Sequence, residues 1–137
     1  MKIIQVAGRS NSGKTTFIRQ LIPELKKIGP VGVIKHLGDH EYHLENGKDT
    51  THFYDAGADI TTGIDAKKTI SVIQGTDLDN TLRFYAGCGM KFCVIEGYKQ
   101  RSYAKIVIGT LETDRCVMSN PTTDDVITSL HLFDDYK

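Results

Sequence analysis

The chain has 137 residues, with 17 Lys+Arg against 17 Asp+Glu and a formal net charge of zero. A hydrophobic fraction of 39% and a charged fraction of 25% suit a globular chain that buries roughly two-thirds of its unfolded surface, which argues against disorder and fibres. Neutrality argues against binding nucleic acid or membrane by bulk charge. With no apolar run of about 18 residues and no signal-peptide pattern, one cytoplasmic domain over residues 1–137 is expected.

Lys2 to Ala7, containing Ile3, Ile4 and Val6, predicts a buried strand that ends at the Gly8 turn. Phe17, Ile18, Leu21, Ile22, Leu25 and Ile28 recur at helical spacing up to the stop signal Gly29-Pro30. Pro23 interrupts that pattern and predicts a kink or two short helical pieces. Val31 to Lys35 reads as a second strand, His36 to Asn46 as a polar loop and Lys48 to Gly57 as a short helix. Asp59 to Ile64 and Thr69 to Ile73 predict a hairpin that would make the sheet mixed.

Thr76 with Asp79 forms a capping-box pattern ahead of a helix through Leu78, Leu82 and Tyr85 to about Gly87. Phe92 to Ile95, Ile106 to Ile108 and Cys116 to Met118 read as strands. Thr122 with Asp125 predicts a capped final helix, and Asp134-Asp135 a solvated tail. Strands alternating with helices give the expected fold class, α/β: a three-layer sandwich with a mostly parallel or mixed central sheet and helices on both faces. Cys88, Cys93 and Cys116 are odd in number and lack a Cys-x-x-Cys pair, which fits packing thiols in a reducing compartment.

The chemistry begins where the first strand ends. Gly8-Arg9-Ser10-Asn11-Ser12-Gly13-Lys14-Thr15 fits G-x-x-x-x-G-K-[ST] between a predicted strand and a predicted helix, the context a P-loop requires. In such a loop the backbone N–H groups converge on phosphate oxygens, and the helix N-terminus adds a favourable dipole. Lys14 is placed for the β- and γ-phosphates, Thr15 for Mg²⁺, and Arg9 and Thr16 for secondary phosphate contacts. The fold class thus becomes P-loop NTPase-like.

Phe92-Cys93-Val94-Ile95-Glu96-Gly97 is an apolar strand ending in an acid, the layout of a Walker B element. Glu96 is therefore the candidate for metal support or for orienting water, and Lys14 with Glu96 forms the candidate catalytic pair. Asp39 is a second candidate for the metal. Asn46-Gly47-Lys48-Asp49 has the residue types of the guanine-reading Asn-Lys-x-Asp pattern in the wrong order, so the motifs leave the base open. His36, His40, His43 and His52 lie within seventeen positions, Lys35 and Lys48 flank the first three of them, and Lys99 follows Glu96. Lys35, His36, Lys48, Asp49 and Lys99 form a candidate ligand loop.

The P-loop, Val33-Ile34-Lys35-His36, Gly47-Lys48-Asp49-Thr50, Ala56-Gly57-Ala58, Val94-Ile95-Glu96-Gly97-Tyr98-Lys99 and Ala104-Lys105-Ile106-Val107, taken in order, resemble the MobB family, molybdopterin-guanine dinucleotide biosynthesis protein B. The resemblance covers residues 1 to about 110. It implies a GTP-binding, Mg²⁺-dependent P-loop protein, usually a homodimer, with weak GTP hydrolysis. Such a protein assists the molybdopterin guanylyltransferase, and molybdopterin is a further potential ligand. Asn46, Thr50 and Tyr98 stand where the family usually has Pro, Ser and Phe. Leu37-Gly38-Asp39-His40 and Gly109-Thr110 depart further from the family pattern, the latter replacing an expected Arg.

Three alternatives stay open from the residues. One is a small P-loop kinase, for which Arg9, Arg19, Arg83, Arg101 and Arg115 are too scattered to form an arginine-rich lid. Another is a metal-delivery GTPase using the His36–His52 segment. The third is a pure interaction module whose nucleotide sets conformation. The small size favours a dimer or a partner that completes the site.

Overall fold

The structure is a computed structural model and describes residues 1–137. In chain order the elements are β1 (Lys2–Ala7), α1 (Lys14–Lys26), β2 (Val31–Lys35), α2 (Asp49–Asp55), β3 (Ile60–Ile64), β4 (Thr69–Ile73), α3 (Leu78–Gly87), β5 (Phe92–Glu96), β6 (Lys105–Val107), β7 (Cys116–Ser119), α4 (Thr123–Thr128) and β8 (Asp134–Asp135). The chain divides into two compact units, Met1–Gly38 with Leu82–Lys137, and Asp39–Thr81.

In the first unit the sheet order is β2-β5-β1-β6-β7, all parallel, with β8 antiparallel to β1. Ile4 and Val6 of β1, Val94 of β5 and Ile106 of β6 join Phe17, Ile18, Leu21 and Leu25 of α1, Val126 of α4 and Phe133 in one core. Each such aliphatic side chain taken from water contributes about 1.5–3 kcal/mol. Tyr85 of α3 donates its hydroxyl to the Val33 carbonyl (3.0 Å) on β2. The α/β expectation, a mostly parallel sheet with helices packed on it, therefore holds.

Four expectations are corrected. α1 runs unbroken through Pro23 rather than as two pieces. Pro23 and Arg19 are both exposed, so the Arg19 carbonyl that loses its helical partner is free to take water. The start of α3 is capped by Asp77, whose Oδ1 accepts from the Asn80 N–H (2.8 Å), one residue later than the Thr76 cap expected.

The Asp134-Asp135 pair is strand β8 rather than a tail. Because β6 reaches only Gln5 to Ala7 of β1, the backbone beside Lys2 and Ile3 is open, and β8 pairs there. Lys2 adds an ion pair to Asp135 (2.9 Å), and Asp134 accepts from the Ala104 N–H (2.7 Å) and pairs with Arg115 (2.9 Å). Of the three cysteines only Cys93 is buried; Cys88, just past α3, and Cys116, on the outermost strand β7, are exposed and are not packing thiols. At α4 the expected capping box is present, with Thr122 and Asp125 bonded reciprocally.

In the second unit β3 and β4 form the expected hairpin, but as a separate two-stranded antiparallel sheet rather than as part of the main one. Thr51 of α2 anchors the preceding loop by donating to the Glu45 carbonyl (2.7 Å). One face of the hairpin carries Ile60, Ile64 and Ile73, which are 59%, 78% and 39% exposed. No helix in the chain is long and apolar enough to cross a membrane.

Candidate functional site

The first unit gathers the predicted phosphate loop at the carboxyl ends of its central strands, where ligands of open α/β sheets bind. Gly8 leaves β1 with no room for a side chain: a Cβ there would lie 2.5 Å from the Ile108 carbonyl oxygen and 2.6 Å from Ser12 Oγ. Asn11 and Gly13 adopt positive φ of 58° and 96°, curling the backbone back so that the Ser12 N–H donates to the Arg9 carbonyl (3.3 Å). α1 then starts at Lys14. The Lys14 ammonium folds over the loop and donates to the Arg9 carbonyl (2.6 Å). Arg9, Ser10, Asn11 and Thr16 are exposed.

On the neighbouring strand the register pairs Val6 with Glu96, and Lys35 of β2 also with Glu96. The carboxylate therefore emerges level with the end of β1. Thr15 Oγ1 donates to Glu96 at 3.1–3.2 Å, and Lys35 lies 3.6 Å from Glu96 Oε1. The Glu96 side chain is only 12% exposed. The structure thus joins Lys14, Thr15, Lys35 and Glu96. A hydroxyl and a carboxylate, both hard oxygen donors, face one another beside a phosphate-type loop, a donor set that fits Mg²⁺.

The turn after Glu96 is tightly constrained. Gly97 and Tyr98 both have positive φ, 97° and 50°, and a non-glycine residue in that region is held there only by its surroundings. Gly97 lies against His36, where a Cβ would come within 2.9 Å of the His36 Cβ. The His36 ring stacks on Tyr98 with centroids 4.2 Å apart, and the His36 N–H donates to the Glu96 carbonyl (2.9 Å). His36 thus lies against the turn that follows Glu96, while Lys99 is exposed on the same turn.

Three functional-looking residues escaped the sequence reading. Gln5, wholly buried on β1, donates Nε2 to the carbonyls of Gly97 (2.7 Å) and Tyr98 (2.6 Å). Lys105, wholly buried on β6, donates to the carbonyls of Tyr103 (3.3 Å) and Asp114 (3.4 Å) and to Asp114 Oδ1 (3.0 Å). Asn120, at the end of β7, accepts from the Gly109 N–H (2.7 Å) and donates to its carbonyl (3.1 Å), fixing the chain beside Ile108 and the phosphate loop. The signal for Gln5 and Lys105 was present: a polar side chain inside a strand buried on both faces must find a partner.

Lys105 holds the Asp114 carboxyl below its ordinary range through that hydrogen bond, against an opposing desolvation. Burial pushes the Cys93 thiol up to about 12.

Asp39, Lys48 and Asp49 belong to the second unit. Asp39 is exposed in an irregular stretch, Asp49 opens the short helix α2, and Lys48 is paired with Glu45 (3.5 Å). Lys48 also lines a cavity of about 1110 Å³, together with His43, Tyr54 and Thr61. No group of three or more His, Cys, Asp or Glu side chains is placed to hold a metal ion.

A family profile described as molybdopterin guanine dinucleotide synthesis protein B, MobB, matches residues 3–130. The chain is 37% identical over 114 residues to a probable molybdopterin-guanine dinucleotide biosynthesis adapter protein of Bacillus subtilis (strain 168), covering 77% of this chain and 64% of that protein. It is 34% identical over 100 residues to a putative adapter protein of the same description from Methanocaldococcus jannaschii, covering 73% of this chain and 42% of that one. The match thus spans less than two-thirds of either relative's length. Among solved structures, Bacillus subtilis MobB superposes with a TM-score of 0.69 at 31% identity, over 87% of this chain and 77% of that chain. A MobB homolog from Bacillus stearothermophilus, at 20% identity and a TM-score of 0.60, shares the fold, over 94% of this chain and 92% of that chain.

Proposed function

The chain belongs to the MobB family, and from that premise we propose that it is a GTP-binding adapter protein in the formation of molybdopterin guanine dinucleotide. The observation that carries the nucleotide reading is the Thr15 hydroxyl facing the Glu96 carboxylate at 3.1–3.2 Å across the mouth of the phosphate loop. That arrangement gives a triphosphate its cradle of amides and a metal its oxygen donors on one side of it.

On nucleotide binding, Lys14 exchanges the Arg9 carbonyl for β- and γ-phosphate oxygens. Thr15 Oγ1 and the Glu96 carboxylate are the groups that would hold Mg²⁺, and the ion would supply positive charge to neutralise the phosphates. Glu96 also orients water for slow hydrolysis. Turnover is weak, as the family resemblance implies, and the nucleotide serves mainly to set the state in which the guanylyltransferase, with or without molybdopterin, is met. Homodimerisation is supported by the hairpin, because two strands leaving Ile60, Ile64 and Ile73 in water are short of a covering layer.

Titration of the purified protein with GTP and with ATP in the presence of Mg²⁺ tests the reading. GTP should bind more tightly, and Lys14→Ala should weaken it by about a hundredfold or more, as expected when a charge-assisted phosphate contact is removed. Preference for ATP, or no binding of either, would overturn the nucleotide assignment.

A further inference from the structure

The connection from β5 to β6 is unusual for a parallel sheet. These strands flank β1, so the eight residues Gly97 to Ala104 must pass over it, yet they contain no helix. A parallel crossover ordinarily takes a dozen residues or more and a helix that satisfies its own carbonyls. Here the Arg101 N–H meets the Tyr98 carbonyl within the strap (2.9 Å), and further donors come from below. Gln5, in register with Lys105 on the strand beneath, holds the first end of the strap at Gly97 and Tyr98, and Lys105 holds the far end at Tyr103.

We propose that Gln5 is a positioning residue for Glu96: by clamping two successive carbonyls of the left-handed Gly97-Tyr98 turn, it keeps the carboxylate turned to Thr15 and Tyr98 stacked on His36. The inference rests on the proposed role of Glu96 at Mg²⁺. Gln5 itself touches neither nucleotide nor metal. The backbone geometry carries it, since Tyr98 sits at φ 50°, a strained conformation that persists only where neighbours over-determine it. Gln5 supplies two of those constraints at 2.6–2.7 Å and spends both amide hydrogens on them. Its Oε1 is buried without a partner, so the two bonds donated by Nε2 are all the polar contact this buried amide makes. Without the clamp the turn keeps the bonds from the Gly97 N–H to the Val6 carbonyl (3.1 Å) and from the Arg101 N–H to the Tyr98 carbonyl (2.9 Å) but loses both side-chain donors, and Glu96, the residue immediately before it, is held less firmly in direction.

The test separates nucleotide binding from its coupling to Mg²⁺. Binding of a fluorescent GTP analogue is measured in EDTA and across a Mg²⁺ titration for wild type, Gln5→Met, the milder Gln5→Asn and Glu96→Gln. Melting curves establish that each variant is folded, and Gln5→Asn carries the test should Gln5→Met not fold. Affinity in EDTA should be the same for wild type and the Gln5 variants, because the phosphate loop is untouched. The Mg²⁺ concentration for half-maximal tightening should rise about tenfold or more, the usual effect of losing a residue that orients a metal-supporting group. In parallel, the NMR shifts of the His36 ring protons should move as the Tyr98 stack loosens. A wild-type Mg²⁺ dependence in the folded Gln5 variants, with Glu96→Gln shifted, would overturn the role of Gln5. No shift in Glu96→Gln would instead overturn the reading of Glu96 on which it rests.

Discussion

Lys105→Met tests whether the helix-less strap is held by the side chains beneath it. Lys105 is fully buried, and its ammonium serves the Tyr103 and Asp114 carbonyls and the Asp114 carboxylate at 3.0–3.4 Å. Methionine fills much the same volume and donates nothing. Hydrogen bonds to a charged group contribute about 1.5–3 kcal/mol, and a buried carbonyl left without a donor costs about 1–3 kcal/mol. Replacing both members of a buried pair by apolar groups is often neutral, but here two acceptors are backbone carbonyls that no substitution removes. Relief of the ammonium's own desolvation offsets part of the loss, leaving a net of about 2–4 kcal/mol. At about 2.1 cal/mol/K per residue, the unfolding entropy of the 137 residues turns 3 kcal/mol into a fall of about 10 °C in Tm. Thermal unfolding followed by circular dichroism, with urea titration for the free energy, reads it directly. Asp114→Asn, whose amide oxygen still accepts, should lower Tm less than Asp114→Ala. A Lys105→Met protein melting within about 2 °C of wild type would refute this account of the strap.

Other outcomes follow from the same geometry. Ellman's reagent should titrate Cys88 and Cys116 promptly in the folded protein, and Cys93, whose thiol burial holds neutral to about pH 12, only on unfolding; three fast thiols would contradict the core position of β5. Asp125 is held below the ordinary carboxylate range by the Thr122 hydroxyl and N–H. A lowered folded-state pKa stabilises above the unfolded value, near pH 4, and that stability is lost as pH falls through the folded value. Thr122→Ala should therefore lower Tm at pH 7, with the gap from wild type narrowing in acid below about pH 4; a gap independent of pH would count against the capping box as its source. Ile64→Glu, on the 78% exposed position of the hairpin, should convert a dimer to monomer in light scattering without lowering Tm by more than a few degrees. An unchanged mass would remove that face from the interface.

The phosphate loop was legible because its chemistry constrains the backbone: Gly8 has no space for a Cβ, Gly13 needs a positive φ, and Lys14 and Thr15 must open the helix. Glu96 was legible for a related reason, since an acid ending an apolar strand next to such a loop has few other uses. The strap was not, because Gln5 and Lys105 become neighbours only through the pairing of β1 with β6, strands a hundred residues apart in sequence. β8 was hidden for a similar reason: two aspartates carry no strand propensity, and only the shortness of β6 opens a place for them beside Lys2 and Ile3. Pro23 misled because its cost falls on a carbonyl that solvent reaches. Residue type alone does not place a cysteine in a core, and Cys88 and Cys116 lie outside it.

The most direct test of the central claim, that Thr15 and Glu96 form an Mg²⁺-supporting pair beside a GTP-binding loop, is calorimetric titration of wild type and Glu96→Gln with GTP, with and without Mg²⁺. The account predicts that Mg²⁺ tightens GTP binding to wild type by about tenfold or more, a difference of about 1.4 kcal/mol, and that Glu96→Gln loses most of this gain while binding GTP in EDTA as wild type does. Mg²⁺-independent binding by wild type, or an equal Mg²⁺ gain in both proteins, would contradict it.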